Sequence, residues 1–388
     1  MSFSIDWTTI GLRGNPFAMS PPEDPQSAVW ADHQRLKEQF DHVFREAQGS
    51  APTQVVLCRG PIGGGKTHAS LYFSLKDRWP DQQPQVRDVL VLRVPTPKET
   101  GKPDRDFYID ILEILDFDEI HEAVHQAIAE VGLDEARRKL RQTVISSDLV
   151  NAILRLGDED EDDWILLKAY FLDKCTKPEL RKLGLSRNIE KTQDYFRVLS
   201  GLLQCYTGFA EPERLAEHTR VCLWLDEMED FVYFSPSQYR PFGQGLRELV
   251  DRVPSYLSLF LNFTLTSPEE YEEIELILGA ALIDRVTDSI FFDEMEHSEM
   301  LRYVADLLSS FRIKKHPSNN PYYPFDDNAM QLILSDLPTR TPRDINKRCR
   351  KILIKAFQEG LLDPGDSPTI NLEYVRRVDM EEIDREVG

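Results

Sequence analysis

Gly60-Pro61-Ile62-Gly63-Gly64-Gly65-Lys66-Thr67 is the stretch on which the reading of this chain turns. It has the form G-x-x-x-x-G-K-T, a loop that cradles phosphates. Ahead of it, Gln54-Val55-Val56-Leu57-Cys58 is a short apolar run of the kind that forms a buried strand. Behind it, residues 68–76 place apolar side chains at helical spacing. Strand, glycine loop and helix are the order that phosphate binding requires. Gly60, Gly63, Gly64 and Gly65 let successive backbone N–H groups turn inward, and the helix N-terminus adds partial positive charge. Lys66 then reaches the β- and γ-phosphates of a nucleotide, and Thr67 offers its hydroxyl to Mg2+. The competing reading is a glycine-rich turn followed by a chance Lys-Thr.

A second stretch decides between them. Val221-Cys222-Leu223-Trp224-Leu225-Asp226-Glu227 is an apolar strand ending in two acids. Beside a phosphate loop the first acid, Asp226, holds Mg2+, often through water. The second, Glu227, takes the proton of the attacking water or orients it. Taken alone this would be an ordinary buried strand capped by acids. The two stretches together imply ATP and Mg2+.

Composition narrows the class. At 388 residues, 41 % hydrophobic and 29 % charged, the chain is globular and long enough for two or three domains. No apolar run approaches the roughly 18 residues of a membrane span, so no membrane partner is expected. Met1-Ser2-Phe3-Ser4-Ile5-Asp6 lacks the basic and apolar regions of a signal peptide. Cys58, Cys175, Cys205, Cys222 and Cys349 are far apart, which points to a reducing cytoplasm rather than a zinc knuckle or a disulfide framework. The net charge of −21 repels nucleic acid on average. DNA contact therefore needs a local basic surface, assembled by several subunits.

Residues 1–50 form an N-terminal extension and helix. Gly11-Leu12-Arg13-Gly14-Asn15-Pro16-Phe17 and the proline-rich Pro21-Pro22-Glu23-Asp24-Pro25 read as an extended segment with Phe17 as its anchor, and the helix carries Leu36, Phe40, Val43 and Phe44 on one face. Trp30 and His33 are candidates to neighbour a nucleotide base, with core packing the stronger reading. Residues 51–292 form the nucleotide-binding base. Its strand 88–94 is followed by a helical insertion at about 104–206.

Inside the insertion, His121-Glu122-Ala123-Val124-His125 has the H-E-x-x-H spacing of a zinc helix, but no third-ligand extension follows. Six consecutive acids, 158–163, read as a solvated loop, or as a docking site for a basic partner. Residues 256–266 read as another buried strand. A polar residue at its end senses the γ-phosphate; Thr266 is the first choice and Asn262 the second, against a hydroxyl satisfied within the sheet. Residues 293–362 are helical, with a basic helix over 344–357, and 363–388 form an acidic tail.

The pattern resembles the AAA+ ATPases over most of the chain. It is most similar to the group of origin-recognition ATPases, transposition ATPases of the Mu and Tn7-like type, and ExeA secretion ATPases. Gly11-Leu12 with Asn15-Pro16-Phe17 resembles the group's N-terminal box. Asp284-Arg285-Val286 resembles the box whose arginine finger reaches the ATP of a neighbouring subunit; the alternative for Arg285 is a surface salt bridge. Pro342-Arg343-Asp344-Ile345-Asn346 resembles the sensor-2 box, whose arginine touches the nucleotide of its own subunit; the alternative for Arg343 is helix capping. The resemblance implies an α/β fold with a five-stranded parallel sheet in the order 5-1-4-3-2, a C-terminal helical lid, and ATP at the carboxyl ends of the strands. It also implies a homo-oligomer.

The chain departs from these relatives. Its insertion is larger, and it shows neither a winged-helix domain after the lid nor the membrane span of ExeA proteins. The expected activity is ATP hydrolysis that drives assembly or conformational switching on DNA, as in transposition, replication or mobile-element defence. Lys347, Arg348, Arg350, Lys351 and Lys355 supply the basic surface. The rival is an ATP-dependent switch on a protein partner docked by the insertion, of the signalling or secretion type, with no nucleic acid.

Overall fold

The structure, a computed structural model, describes residues 6–49, 52–81, 86–97, 101–158, 163–209, 218–265, 271–313, 319–362 and 369–387. Helix α1 (Gln34–Gly49) precedes β1 (Gln54–Gly60), and α2 (Lys66–Tyr72) follows the glycine loop. After β2 (Asp88–Pro95) come α3 (Pro103–Leu115), α4 (Phe117–Val131), α5 (Leu133–Val144), α6 (Ser147–Arg155), α7 (Trp164–Phe171), α8 (Lys177–Lys182) and α9 (Thr192–Tyr206). Then follow β3 (Thr219–Asp226), α10 (Pro236–Arg252), β4 (Leu257–Thr264), α11 (Tyr271–Leu278), α12 (Ala280–Ile283) and β5 (Asp288–Phe291). Helices α13 (His297–Phe311), α14 (Asp327–Ser335), α15 (Pro342–Gln358) and α16 (Leu372–Val387) end the chain.

The five strands form one parallel sheet in the order β2-β3-β4-β1-β5, which is the expected 5-1-4-3-2 read from the other edge. Parallel strands covered on both faces read as unbroken apolar runs, and β3 and β4 are buried along almost their whole length. Register is fixed by paired apolar side chains. Trp224 and Phe260 are register partners on β3 and β4, and their rings stack at 3.8 Å and 4°.

The chain divides into two compact units, one of Gln39–Arg59 and Lys76–Phe291, the other of Met1–Glu38, Gly60–Leu75 and Phe292–Gly388. In the first, helices α3–α9 share one continuous apolar core with the sheet. Phe107 of α3 and Phe196 of α9 both pack on Phe242 of α10, at 5.1 and 6.0 Å between centroids. Gly201 lets α9 approach its neighbours: a Cβ there would lie 2.8 Å from both Ile153 and Val144. In the second unit Phe17 is fully buried and meets Phe325 edge-on at 6.3 Å, so it anchors the N-terminal segment among α13–α16. The charge pattern that suggests an acidic tail belongs instead, from Leu372, to α16. That helix buries Tyr374, Val375 and Val378 in the same core, and this apolar spacing outweighs the surrounding acids.

Arg220, on β3, is fully buried. It donates from Nε to Ser258 Oγ at 2.9 Å, from Nη1 to Ala47 O at 3.0 Å, and from Nη2 to Pro52 O at 3.1 Å, Gln54 Oε1 at 3.0 Å and Leu257 O at 3.3 Å. Burial lowers its pKa to about 10, which still leaves it protonated at pH 7. The guanidinium thus ties the end of α1 to β1, β3 and β4. Arg220→Ala leaves several buried acceptors unmatched and opens a cavity. Urea denaturation should show a loss on the order of 3–5 kcal/mol.

Candidate nucleotide site

The phosphate loop is shaped by backbone conformations that only glycine adopts without strain. Gly63 and Gly65 have φ of +77° and +105°. Gly65 is also the N-cap of α2, and Lys66 is its first residue. The Lys66 side chain is buried and turns back into the loop, donating from Nζ to Gly60 O at 2.9 Å and Pro61 O at 3.0 Å. The loop is also tightly surrounded. A Cβ on Gly60 would lie 2.5 Å from Phe292 O, and one on Gly63 would lie 2.5 Å from the Cβ of Arg343.

Arg343 belongs to the same unit. Thr341 caps α15 by accepting from the Asp344 N–H, Pro342 fills the first turn, and Arg343 N donates to Gly63 O at 3.3 Å. The rest of that box is pinned as well: Asn346 donates to Ala18 O at 2.9 Å and accepts from the Tyr303 hydroxyl at 3.1 Å. The exposed Arg343 side chain therefore starts from the edge of the phosphate loop.

The acids lie in the other unit. Asp226 is half-buried at the end of β3, and its Oδ1 accepts from Glu227 N at 3.1 Å and from Asn262 Nδ2 at 3.3 Å. The β3–β4 register explains the second contact. Leu225 opposes Leu261, so the next residues along face each other. Asn262 is fully buried, and its Oδ1 has no hydrogen-bond partner among the described residues. Glu227 is exposed and sits at φ +59°, ψ +39°, a left-handed conformation that costs a non-glycine residue energy and recurs at functional sites. Two groups not picked out from the sequence join this end of the sheet. Thr96 donates to the Asp226 carbonyl from its hydroxyl at 2.6 Å and its N–H at 3.1 Å. Arg93 lies close enough that Asp226 raises its pKa against the larger lowering effect of burial.

No protein-family model and no curated protein matches this chain. Solved structures do. Drosophila ORC bound to DNA aligns with a TM-score of 0.50 at 11 % identity, covering 98 % of this chain and 68 % of that one. The Aeropyrum pernix ORC2 protein, in its ADPNP-ADP complexes, gives 0.49 at 11 % identity over 94 % and 70 % of the two chains. The Aeropyrum pernix ORC1 protein in complex with DNA gives 0.47 at 10 % over 95 % and 69 %. The chain has the fold of an AAA+ P-loop ATPase of the origin-recognition type.

Other expected residues are placed less simply. Thr266 lies outside the described residues, as do 159–162 of the acidic run. Arg285 follows α12 and is held bidentately by Asp251 of α10, Nε to Oδ1 at 2.6 Å and Nη2 to Oδ2 at 3.0 Å, with Arg247 on the same carboxylate at 3.4 Å. On α15, Lys347 and Lys351 are exposed and Arg350 partly so, while Arg348 is paired with Asp379 of α16. His121 and His125 share one helix face, but each places Nδ1 on a backbone carbonyl, Leu156 O at 2.7 Å and Gly157 O at 3.1 Å. Among the described residues no group of three His, Cys, Asp or Glu is placed to hold a metal. Also among the described residues, no helix is long and apolar enough to cross a membrane.

Two loop substitutions separate conformation from contact. Gly65→Ala meets nothing within 4 Å and costs only its positive φ, roughly 1 kcal/mol. Gly63→Ala adds the collision with Arg343, for a total of roughly 2–4 kcal/mol. Melting temperatures of the two variants should fall in that order.

Proposed function

We propose that this chain is an Mg2+-dependent ATPase whose cycle drives assembly or a conformational switch on DNA. The observation that carries the reading is the phosphate loop: left-handed Gly63 and Gly65, a buried Lys66 turned into the loop, and Arg343 packed on Gly63. Lys66 and the loop amides bind the phosphates. The hydroxyl of Thr67 and the carboxylate of Asp226 are hard oxygen donors, which suit Mg2+; an ion held by them would neutralise charge on the phosphates. Glu227 takes or orients the proton of the attacking water. Arg343 signals the nucleotide to its own C-terminal helices.

At the end of β4, Asn262 orients Asp226, and Thr266 is the candidate γ-phosphate sensor. Arg285 is the candidate finger, delivered to a neighbouring copy once it leaves Asp251. That exposed pair is worth only about 0–1 kcal/mol, so a phosphate can displace it. A homo-oligomer follows from this role.

DNA is favoured over other partners by the fold shared with Drosophila ORC bound to DNA and by the exposed Lys347 and Lys351 on α15. Transposition, replication and mobile-element defence are the settings this chemistry suits. The rival, a switch on a protein partner docked through α3–α9, is favoured by the net charge of −21 and by the Arg348–Asp379 pair, which neutralises part of the basic helix.

Turnover measured against protein concentration, with and without duplex DNA, tests the proposal. Turnover per subunit should rise with concentration and again with DNA. Lys66→Ala should abolish nucleotide binding, Glu227→Gln should bind ATP without hydrolysing it, and Arg285→Ala should lower kcat by about 10³–10⁵-fold. A rate independent of both concentration and Arg285 would overturn the finger role. DNA affinity should fall steeply with salt. The combined Lys347→Glu, Arg350→Glu and Lys351→Glu variant should flatten the log–log salt slope by about 3, one unit per lost phosphate contact. An unchanged slope would exclude α15 as the DNA surface and favour the protein-partner reading.

A further inference from the structure

The chain turns sharply at the second acid of the pair. Glu227 takes φ +59° and ψ +39° and caps a short 3-10 helix, Met228–Tyr233. A left-handed conformation at a residue other than glycine persists only where its surroundings fix it. Hydrogen bonds do so on both sides of Glu227. Ahead of it, Asn262 Nδ2 donates to Asp226 Oδ1 at 3.3 Å, and the Glu227 N–H donates to the same oxygen at 3.1 Å. Behind it, Thr264 N donates to Glu229 Oε2 at 2.9 Å. Asn262 and Thr264 both belong to β4, and Thr264 is its last residue. The residues before and after Glu227 are therefore tied to one strand.

The 3-10 helix also packs on the core. Met228 and Phe231 are fully buried, Phe231 stacks on Phe242 at 4.6 Å and 25°, and the Thr96 hydroxyl lies 3.6 Å from Met228 Sδ. Apolar burial of this kind is non-directional. A carboxylate accepting from a backbone N–H is directional, and its charge makes the bond roughly twice as strong as a neutral one. Glu229 thus sets where the turn meets the end of β4. Glu229 is half-buried and Glu227 is exposed, so the first carboxylate is tied into the fold while the second is open to solvent.

We propose that Glu229 is a positioning residue for ATP hydrolysis: its bond to the Thr264 N–H holds the turn that aims Glu227 at the attacking water. The role rests on the ATPase reading above. It acts on the acid that handles the water and not on Lys66 or Thr67, so the rate of hydrolysis and the affinity for ATP should separate.

The test measures kcat and ATP affinity in the full chain at one fixed protein concentration. Glu229→Ala should lower kcat by about 10–100-fold, the cost of a misplaced reacting group, and leave ATP affinity unchanged. Glu229→Gln keeps an acceptor oxygen at the same reach and should hold kcat within about threefold of the parent. Glu229→Asp keeps the charge but is one methylene shorter, and its kcat should fall as far as that of Glu229→Ala. A parental kcat in Glu229→Ala would overturn the proposal, and so would a parental kcat in Glu229→Asp, which would mean that charge matters and reach does not. Glu229→Gln falling as far as Glu229→Ala, with ATP affinity lost in both, would also overturn it, since that is the signature of a merely structural carboxylate. A parent that hydrolyses no ATP would refute the ATPase reading itself and this role with it; an active parent confines any failure to Glu229.

Discussion

Every strand of this sheet runs the same way, and most of the architecture follows from that. A parallel strand cannot be reached by a hairpin, so each connection must cross over the sheet and return. The crossovers supply the helices that cover both faces, and they force the strands to be apolar throughout. They also collect the strand ends by kind. Asp226 at the end of β3 and Asn262 near the end of β4 meet because their strands are parallel neighbours in register. Arg93 and Thr96, at the end of β2, reach Asp226 for the same reason. The connection from β2 to β3 has grown into α3–α9 without violating the rule, because those helices extend the core on one face of the sheet instead of opening a new one.

Some residues are held at a cost in stability. Glu227 and His33 hold left-handed backbones without being glycine, and Asn262 and His33 bury polar atoms that the described residues leave unmatched. Each feature costs stability and is tolerated because the surrounding packing over-determines it. Arg220 is the counter-example. It is as deeply buried, yet its guanidinium donates to Ser258, Ala47, Pro52, Gln54 and Leu257 and so holds strands and helix together.

Much of this was legible in the letters. The glycine loop and the strand ending in Asp226-Glu227 could be read directly, because each is a local pattern whose backbone geometry is set by the residues within it. The strand order came from the resemblance those patterns carry. The N-terminal anchor Phe17 was legible for a similar reason, as an aromatic isolated in a polar, proline-rich stretch. The helix from 372 onward was not legible beneath the charge of that stretch, where, among the described residues, Tyr374, Val375 and Val378 join the core. Arg93, Thr96 and the partner of Asp226 were not legible from spacing, since they depend on which strands pair and in what register.

By itself, then, the sequence determined the glycine loop, the strand ending in two acids and the helical character of the insertion and of the C-terminal third. All of these rest on interactions between residues close along the chain. The tertiary structure decided that Asn262 touches Asp226, that Arg285 is held by Asp251, that Arg343 leaves from the edge of the glycine loop, and that His33 is buried without a hydrogen-bond partner among the described residues. Each of those brings together residues far apart in the chain, or depends on a surrounding that such residues build. No local pattern encodes such pairs; they exist only once the sheet register and helix packing have set the distances.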